Sequence, residues 1–351
     1  MASAPSSAAA PGLVNLVCPR CRKALSGGGG AYACAACGLN FPRRADVDVL
    51  LDEDEWRDFQ KHLGERRAVH AAYVHARRVA PLGRLYFDRW VGRMFAMALE
   101  GRDAGHRNPD AGNAAGHDPF TPNPSHAARG PHARGEGNHG PLLELMCGGA
   151  EICRRLPPCF ASAAALDLNV EMVEQAARDL IAAGERRVRC VCGTAARLPF
   201  ADGAFELVLI QGGLHHVRFM LPAVLGEIAR VLKPGGVLVA SEPANDHCIT
   251  RAIRRWQYKR SKMQGDDPDE DGFTRAELAA ALTPHGLRLE RYTQFGFIAY
   301  PLMGNTDLLP LLANSRSRLL GRMLLGMDAI LEKMPLIRGM AWASLFKAVK
   351  A

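Results

Sequence analysis

The run LLELMCGGAEI at residues 142–152, followed by ALDLN at 165–169, RLPFADGAFELVLIQGGLHHV at 197–217 and EIARVLKPGG at 227–236, decides how this chain folds. LLELM is a short apolar run with the composition of a buried strand, and Gly148, Gly149 and Ala150 follow it directly before a helix-compatible segment. That order is the strand, tight turn and helix start of a nucleotide-binding α/β unit. Small residues belong there because a backbone with little side chain can approach a ligand closely, while the helix start offers free N–H groups. Asp167 lies 23 residues after Glu144 at the end of the next apolar run, where doubly wound folds place the acid that holds ribose hydroxyls.

Working outward, VEMVEQAARDLIAAG (170–184) has apolar residues at helical spacing and stops at Gly184, and RVRCVCG (187–193) reads as a strand. FELVLIQ (205–211) is a strand, LPAVLGEIARVL (221–232) a helix, LKPGG a turn and GVLVASEP (236–243) another strand. Strands alternating with helices predict a parallel sheet with helices on both faces, which binds ligands beyond the carboxyl ends of its strands. The turn at 146–150, Asp167, Thr194 and the segment 211–216 are thereby expected around one crevice. Thr274 and Glu277 form a capping box for a helix, then LRLERYTQFGF and the final WASLFKAVKA suit a pair of strands.

This ordered series resembles a class I S-adenosylmethionine-dependent methyltransferase of the type-11 kind. The resemblance implies a Rossmann-like α/β fold: a seven-stranded methyltransferase sheet, helices on both faces, ending in an antiparallel hairpin, with the cofactor S-adenosylmethionine in the crevice. The family's E/D-x-G-x-G-x-G pattern falls on Glu144, Met146, Gly148 and Ala150, so one of three glycines is kept. Ala150 is expected to add a methyl where the cofactor's methionine tail passes. By resemblance Glu144 orients the turn, Gly148 gives close approach, Asp167 with Leu168 takes the ribose, Thr194 with Ala195 faces the adenine, and Gln211 lies under the transferred methyl. Thr194 stands where the family tends to carry an acid, and a hydroxyl accepts a hydrogen bond more weakly than a carboxylate. His215 and His216 are the candidate catalytic residues, because an imidazole with a pKa near ~6.5 can take a proton from an acceptor hydroxyl. A structural role for the pair is the alternative, since in-line methyl transfer depends mainly on alignment.

Cys18 and Cys21 form one CxxC pair, and Cys34 and Cys37 a second, twelve residues further on. This is zinc-ribbon spacing, and the stretch also resembles the ribbon fused to rRNA guanine-N1 methyltransferases. The expected metal is Zn2+. The other six cysteines lie mostly in apolar contexts as core thiols, a usage that fits a reducing cytoplasm.

The chain of 351 residues divides, on this reading, into a disordered tail (1–12), the zinc ribbon (13–52), a helical cap (53–100), a disordered Gly/Pro/His-rich insertion (101–141) and a methyltransferase domain (142–351) with a helical insertion at about 301–340. Trp56, Phe59, Tyr73, Tyr86, Trp90 and Phe95 in the cap have plain core packing as their alternative role. The start lacks the pattern of a secretory signal, and no apolar run reaches spanning length. The Leu- and Met-rich insertion points to a hydrophobic small-molecule substrate such as a lipid, isoprenoid or polyketide, or to a dimer contact. The net charge of +8 and the basic run at 250–262 keep RNA and a peripheral membrane contact as further candidate partners. An RNA base methyltransferase, a degenerate binding module of the same fold, and a cofactor-bound enzyme of another reaction are the competing functions.

Overall fold

The protein is described by a computed structural model over residues 14–28, 30–52, 54–57, 80–101, 139–258, 271–304, 314–334 and 337–351. The tail at 1–12, most of the cap (58–79, with Phe59 and Tyr73), the insertion at 102–138 and residues 305–313 lie outside the described residues.

Seven strands form the expected sheet: β5 (Leu142–Leu145), β6 (Ala163–Asp167), β7 (Val188–Cys192), β8 (Phe205–Gln211), β9 (Leu232–Pro243), β10 (Leu287–Phe295) and β11 (Ala343–Lys350), in the spatial order β7-β6-β5-β8-β9-β11-β10. Neighbours are parallel from β7 to β9, and β11 runs antiparallel between β9 and β10. The LKPGG stretch is not a free turn. It opens β9, with a register shift between Phe205 and Leu207 on the facing strand.

The expected strand count is corrected by the N-terminal module. Its strands β1 (Ser26–Gly27), β2 (Ala31–Ala33), β3 (Asn40–Arg44) and β4 (Val47–Val49) form an antiparallel meander, and β4 pairs in parallel with β7, so one sheet of eleven strands results. The module at 13–52 is therefore joined to the domain by a strand ladder. The physical reason is that an uncovered β7 would leave a row of unpaired backbone groups at the sheet edge. Arg189 and Arg43 flank the buried Asp48 at 3.1 and 3.3 Å across this seam, and Leu16 bridges to Phe200. Burial raises the Asp48 carboxyl above its usual range, against the pull of the two guanidinium groups.

Alternating strand residues feed two cores. Leu143, Leu145, Ala164, Leu166, Val208 and Ile210 face one side, packed by α3 (Leu221–Val231), α5 (Arg275–Leu282) and the N-terminal module. Leu142, Ala163, Ala165, Leu207 and Leu209 face the other, packed by α1 (Pro81–Leu99) and α2 (Val170–Ala182). Asn169 caps α2 by accepting from the Met172 N–H, and the Thr274–Glu277 capping box at α5 is formed. The described part of the expected cap is a sheet-face helix. Tyr86, Trp90 and Phe95 of α1 are buried: the helix turns Trp90 and Phe95 onto the sheet, where Trp90 stacks on Phe295 with ring centroids 3.5 Å apart, and Tyr86 packs with Ala299, Met303 and Leu324 instead. Within the expected insertion, a π-helical turn (Tyr300–Gly304) precedes α6 (Arg318–Leu331), which packs on α1. Of the six cysteines expected in the core, Cys248 is exposed and Cys159 half-buried.

Candidate functional site

The carboxyl ends of β5, β6, β7 and β8 meet at one side of the sheet, and each carries one of the expected residues. After β5 the chain turns sharply. Met146, Gly148 and Ala150 have φ of 55°, 49° and 56°, so all three positions of the glycine pattern keep the left-handed backbone although two carry side chains. Each non-glycine residue held there costs about 1–2 kcal/mol. Two acids hold the turn. Both oxygens of buried Glu144 accept backbone N–H groups, from Ile152 at 3.0 Å and Cys153 at 2.7 Å. Desolvation dominates its titration and pushes the carboxyl up to about 7, against those two donors. Asp167, at the end of β6, accepts from the Gly148 N–H at 2.8 Å through one oxygen and from the Asn169 N–H at 2.9 Å through the other. Each oxygen retains a lone pair for a ligand hydroxyl.

Ala150 is wholly buried, in the core with Ile152 and Cys153. Met146 lies across the loop after β8. A Cβ built on Gly213 would stand 2.7 Å from its Sδ, so the glycine makes room for this methionine. At Gly148 an added Cβ would meet only the Met172 methyl, at 3.1 Å, and the backbone is otherwise open there. Leu168 is half-buried beside Asp167. Thr194 uses its hydroxyl to accept from the Ala196 N–H at 3.3 Å, which orders the turn next to buried Ala195. Gln211 ends β8, half-buried, opposite Ser241.

The two histidines separate. His216 is exposed, whereas His215 is buried with Nδ1 2.7 Å from Oε2 of Glu242. The same carboxylate accepts from the Gly213 and Leu214 N–H groups at 3.0 and 2.8 Å. A carboxylate only accepts, which places the ring proton on Nδ1 and leaves Nε2 as the basic nitrogen. The imidazole rings of 215 and 216 lie 3.9 Å apart. Glu242 was missed from the sequence. Its one signal is an acid ending the otherwise apolar run GVLVAS.

Next to the Thr194 turn, the 198–200 loop is clamped from both sides. Glu227 of α3 accepts the Leu198 N–H at 2.8 Å, and Arg230 donates to the Leu198 and Phe200 carbonyls. From the N-terminal module, Arg22 reaches Glu227 at 2.8 Å and Val17 donates to the Pro199 carbonyl. Beyond β4 the Leu50 N–H bonds the Cys192 carbonyl, and Glu55 pairs with Arg197 at 2.5 Å. The module is thus fastened to the end of β7 and to the loop that leads from the Thr194 turn to β8.

The four cysteines converge. Their sulfurs all lie within 4.8 Å of one another, with Cys18–Cys37 at 3.6 Å and Cys21–Cys34 at 3.3 Å. Two equivalent knuckles carry them. Cys18 accepts from the Arg22 N–H and Cys34 from the Gly38 N–H, and residues 22 and 38 both have positive φ, 60° and 72°.

Residues 143–240 match a family model described as a methyltransferase domain. A demethylmenaquinone methyltransferase of Mycobacterium marinum (strain ATCC BAA-535 / M) is 42% identical over 101 residues, 29% of this chain and 40% of that protein. One from Beutenbergia cavernae is 48% identical over 68 residues, 18% of this chain and 27% of that protein. The chain thus spans less than half the length of these curated relatives. Among solved structures, geranyl diphosphate C-methyltransferase from Streptomyces coelicolor A3(2), in complex with Mg2+, geranyl diphosphate and S-adenosyl-L-homocysteine, is similar with a TM-score of 0.41 and 17% identity, covering 62% of this chain and 74% of that one.

Proposed function

We propose that this protein transfers a methyl group from S-adenosylmethionine to a small lipophilic acceptor. The observation that carries the reading is the paired clasp of Glu144 and Asp167 on a turn with three consecutive alternate residues in left-handed backbone, inside the segment matching a methyltransferase domain. Asp167 would hold the ribose hydroxyls with its free lone pairs, the open backbone at Gly148 would admit the amino-acid end, and Thr194 with Ala195 would flank the adenine. The cofactor supplies an electrophilic methyl on sulfur. Nε2 of His215 would take the proton from the acceptor, with Glu242 fixing the tautomer as a buried carboxylate does for a catalytic imidazole. Leu168, Gln211 and Met146 would line the passage between the two.

The acceptor class rests on the relatives' printed activity on demethylmenaquinone. The four thiolates suit a tetrahedral zinc ion, whose ligand sulfurs stand about 3.8 Å apart at a Zn–S bond of about 2.3 Å. Its task would be to hold the two knuckles, and through them the loop at 198–200. Incubation with methyl-labelled S-adenosylmethionine, a quinone-containing lipid extract and total RNA tests the acceptor. Label in the organic phase is expected. Label in RNA alone would replace this reading with that of a base methyltransferase, to which the net charge of +8 and the cysteine module would then belong.

A further inference from the structure

Helix α6 is apolar on both faces. Its inner face is fully used: Leu324 and Leu325 are buried against Leu82 and Tyr86, and Gly321 lets the Leu82 and Leu85 side chains come within 3 Å of where a Cβ would stand. Asp328, buried, accepts from the Ile298 N–H at 2.7 Å and ties the helix to the π-helical turn. Arg93 of α1 grips Glu332 with two hydrogen bonds of 3.0 and 2.8 Å. The fold therefore needs nothing more of this helix.

Its outer face nevertheless carries a second apolar row. Leu319, Met323, Met327 and Ile330 are 71%, 57%, 45% and 65% exposed, at spacings of four, four and three residues, a strip about 16 Å long, and Met334, just past the end of the helix, is 45% exposed. A helix hydrophobic all round expects a cover on each side. The charges beside the row have one sign. Arg316, Arg318, Arg322 and Lys333 are exposed, and the only two acids between residues 314 and 334 are Asp328, buried, and Glu332, held by Arg93.

We propose that this face docks the protein on an anionic lipid bilayer. A row of Met, Leu and Ile flanked by Arg and Lys is the pattern of a helix lying in the interface plane, with its apolar side chains among the acyl chains and its cations at the headgroups. A second copy of the chain would set the same four cations against one another. A bilayer satisfies both the apolar row and the charge. Helix α4 (Cys248–Tyr258) adds a second apolar row: Ile249, Ile253 and Trp256 are exposed at i, i+4 and i+7, while Arg251 and Arg255 beside them pair with Asp271 at 3.0 and 2.7 Å. It is tied to the chain that follows α6 by Thr250 donating to the Met340 carbonyl at 2.8 Å and Arg254 to the Trp342 carbonyl at 2.5 Å. Because α4 begins just past the carboxyl end of β9, this second row lies at the end of the sheet that carries the crevice.

The test is co-sedimentation of the full chain with phosphatidylglycerol–phosphatidylcholine vesicles and with phosphatidylcholine alone, for the wild type, Met323→Glu/Met327→Glu and Arg318→Glu/Arg322→Glu. All four positions are exposed, so the melting temperature should not move. Binding to the anionic vesicles, weaker by about tenfold or more on neutral ones, is expected. Each double variant should lose about tenfold or more. Equal binding to both vesicles, binding unchanged in the methionine variant, or no vesicle binding by a wild-type dimer that the methionine variant dissociates, would each overturn the proposal.

Discussion

Replacing Glu144 by Gln keeps the shape of the side chain and removes its charge. In the fold the carboxyl is buried, with both oxygens on backbone N–H groups, and its pKa is pushed up to about 7 from an ordinary 4.5. A carboxyl raised in the folded state binds its proton more tightly there than in the unfolded chain. The stability this contributes is complete below about pH 4.5 and is lost as pH rises through about 7. The gap corresponds to about 3 kcal/mol. Glutamine cannot titrate. It keeps one acceptor for the two amides and sets its own N–H2 against the other, a fixed penalty of about 1–3 kcal/mol that does not vary with pH. Urea unfolding of both proteins at intervals between about pH 4.5 and 8 isolates the effect, because every other titrating group is shared. The wild type should lose about 3 kcal/mol relative to Glu144→Gln across that range. Parallel stability curves would refute the reasoning and mean that the two amides hold the carboxylate charged despite its burial.

The remaining expectations concern the histidine pair, the turn and the cysteine module. Glu242→Gln presents an N–H2 to His215 and forces the wrong tautomer, so kcat should fall by about a hundredfold or more, with S-adenosylmethionine affinity within about threefold; an unchanged rate would return His215 to a structural role. Ala150→Gly relieves about 1–2 kcal/mol of backbone strain but loses a buried methyl worth about 0.8 kcal/mol and stiffness in the unfolded chain. Stability should therefore move by less than about 1 kcal/mol, and cofactor affinity should hold, because the methyl faces the core; calorimetry showing a tenfold change would place that methyl in the crevice. Chelation, or Cys34→Ser, should raise amide hydrogen exchange in β7 and at 198–200 while α2 stays protected. Equal protection with and without metal would make the module's knuckles independent of the 198–200 loop.

The parallel strands were legible because each is a mostly apolar run of strand length, broken by no more than a single charge (Glu144, Arg189, Glu206), and separated from the next by a helix or turn signal. Phe205–Gln211 and the capping box at Thr274 appear as read. The addition of β4 to the sheet was not, because Val47–Val49 is three residues long with a charge in its middle, and its pairing depends on a strand some 140 residues away. Two buried acids that hold the architecture, Glu242 and Asp328, were missed for a related reason. What makes them structural is the cluster of backbone donors around them, which the fold assembles and no local pattern announces. At the glycine turn the structure adds what a glycine count does not carry. Counting glycines suggested a degraded motif, whereas Met146 and Ala150 adopt the same left-handed backbone, one with its side chain over Gly213 and the other buried in the core.

The most direct measurement is calorimetric titration of the full chain with S-adenosylhomocysteine, alongside Asp167→Ala. The account predicts binding at one site per chain, weakened by about a hundredfold or more in the variant, because two charge-assisted hydrogen bonds to the ribose are lost. Absence of binding to the wild type, or equal affinity in Asp167→Ala, would contradict it.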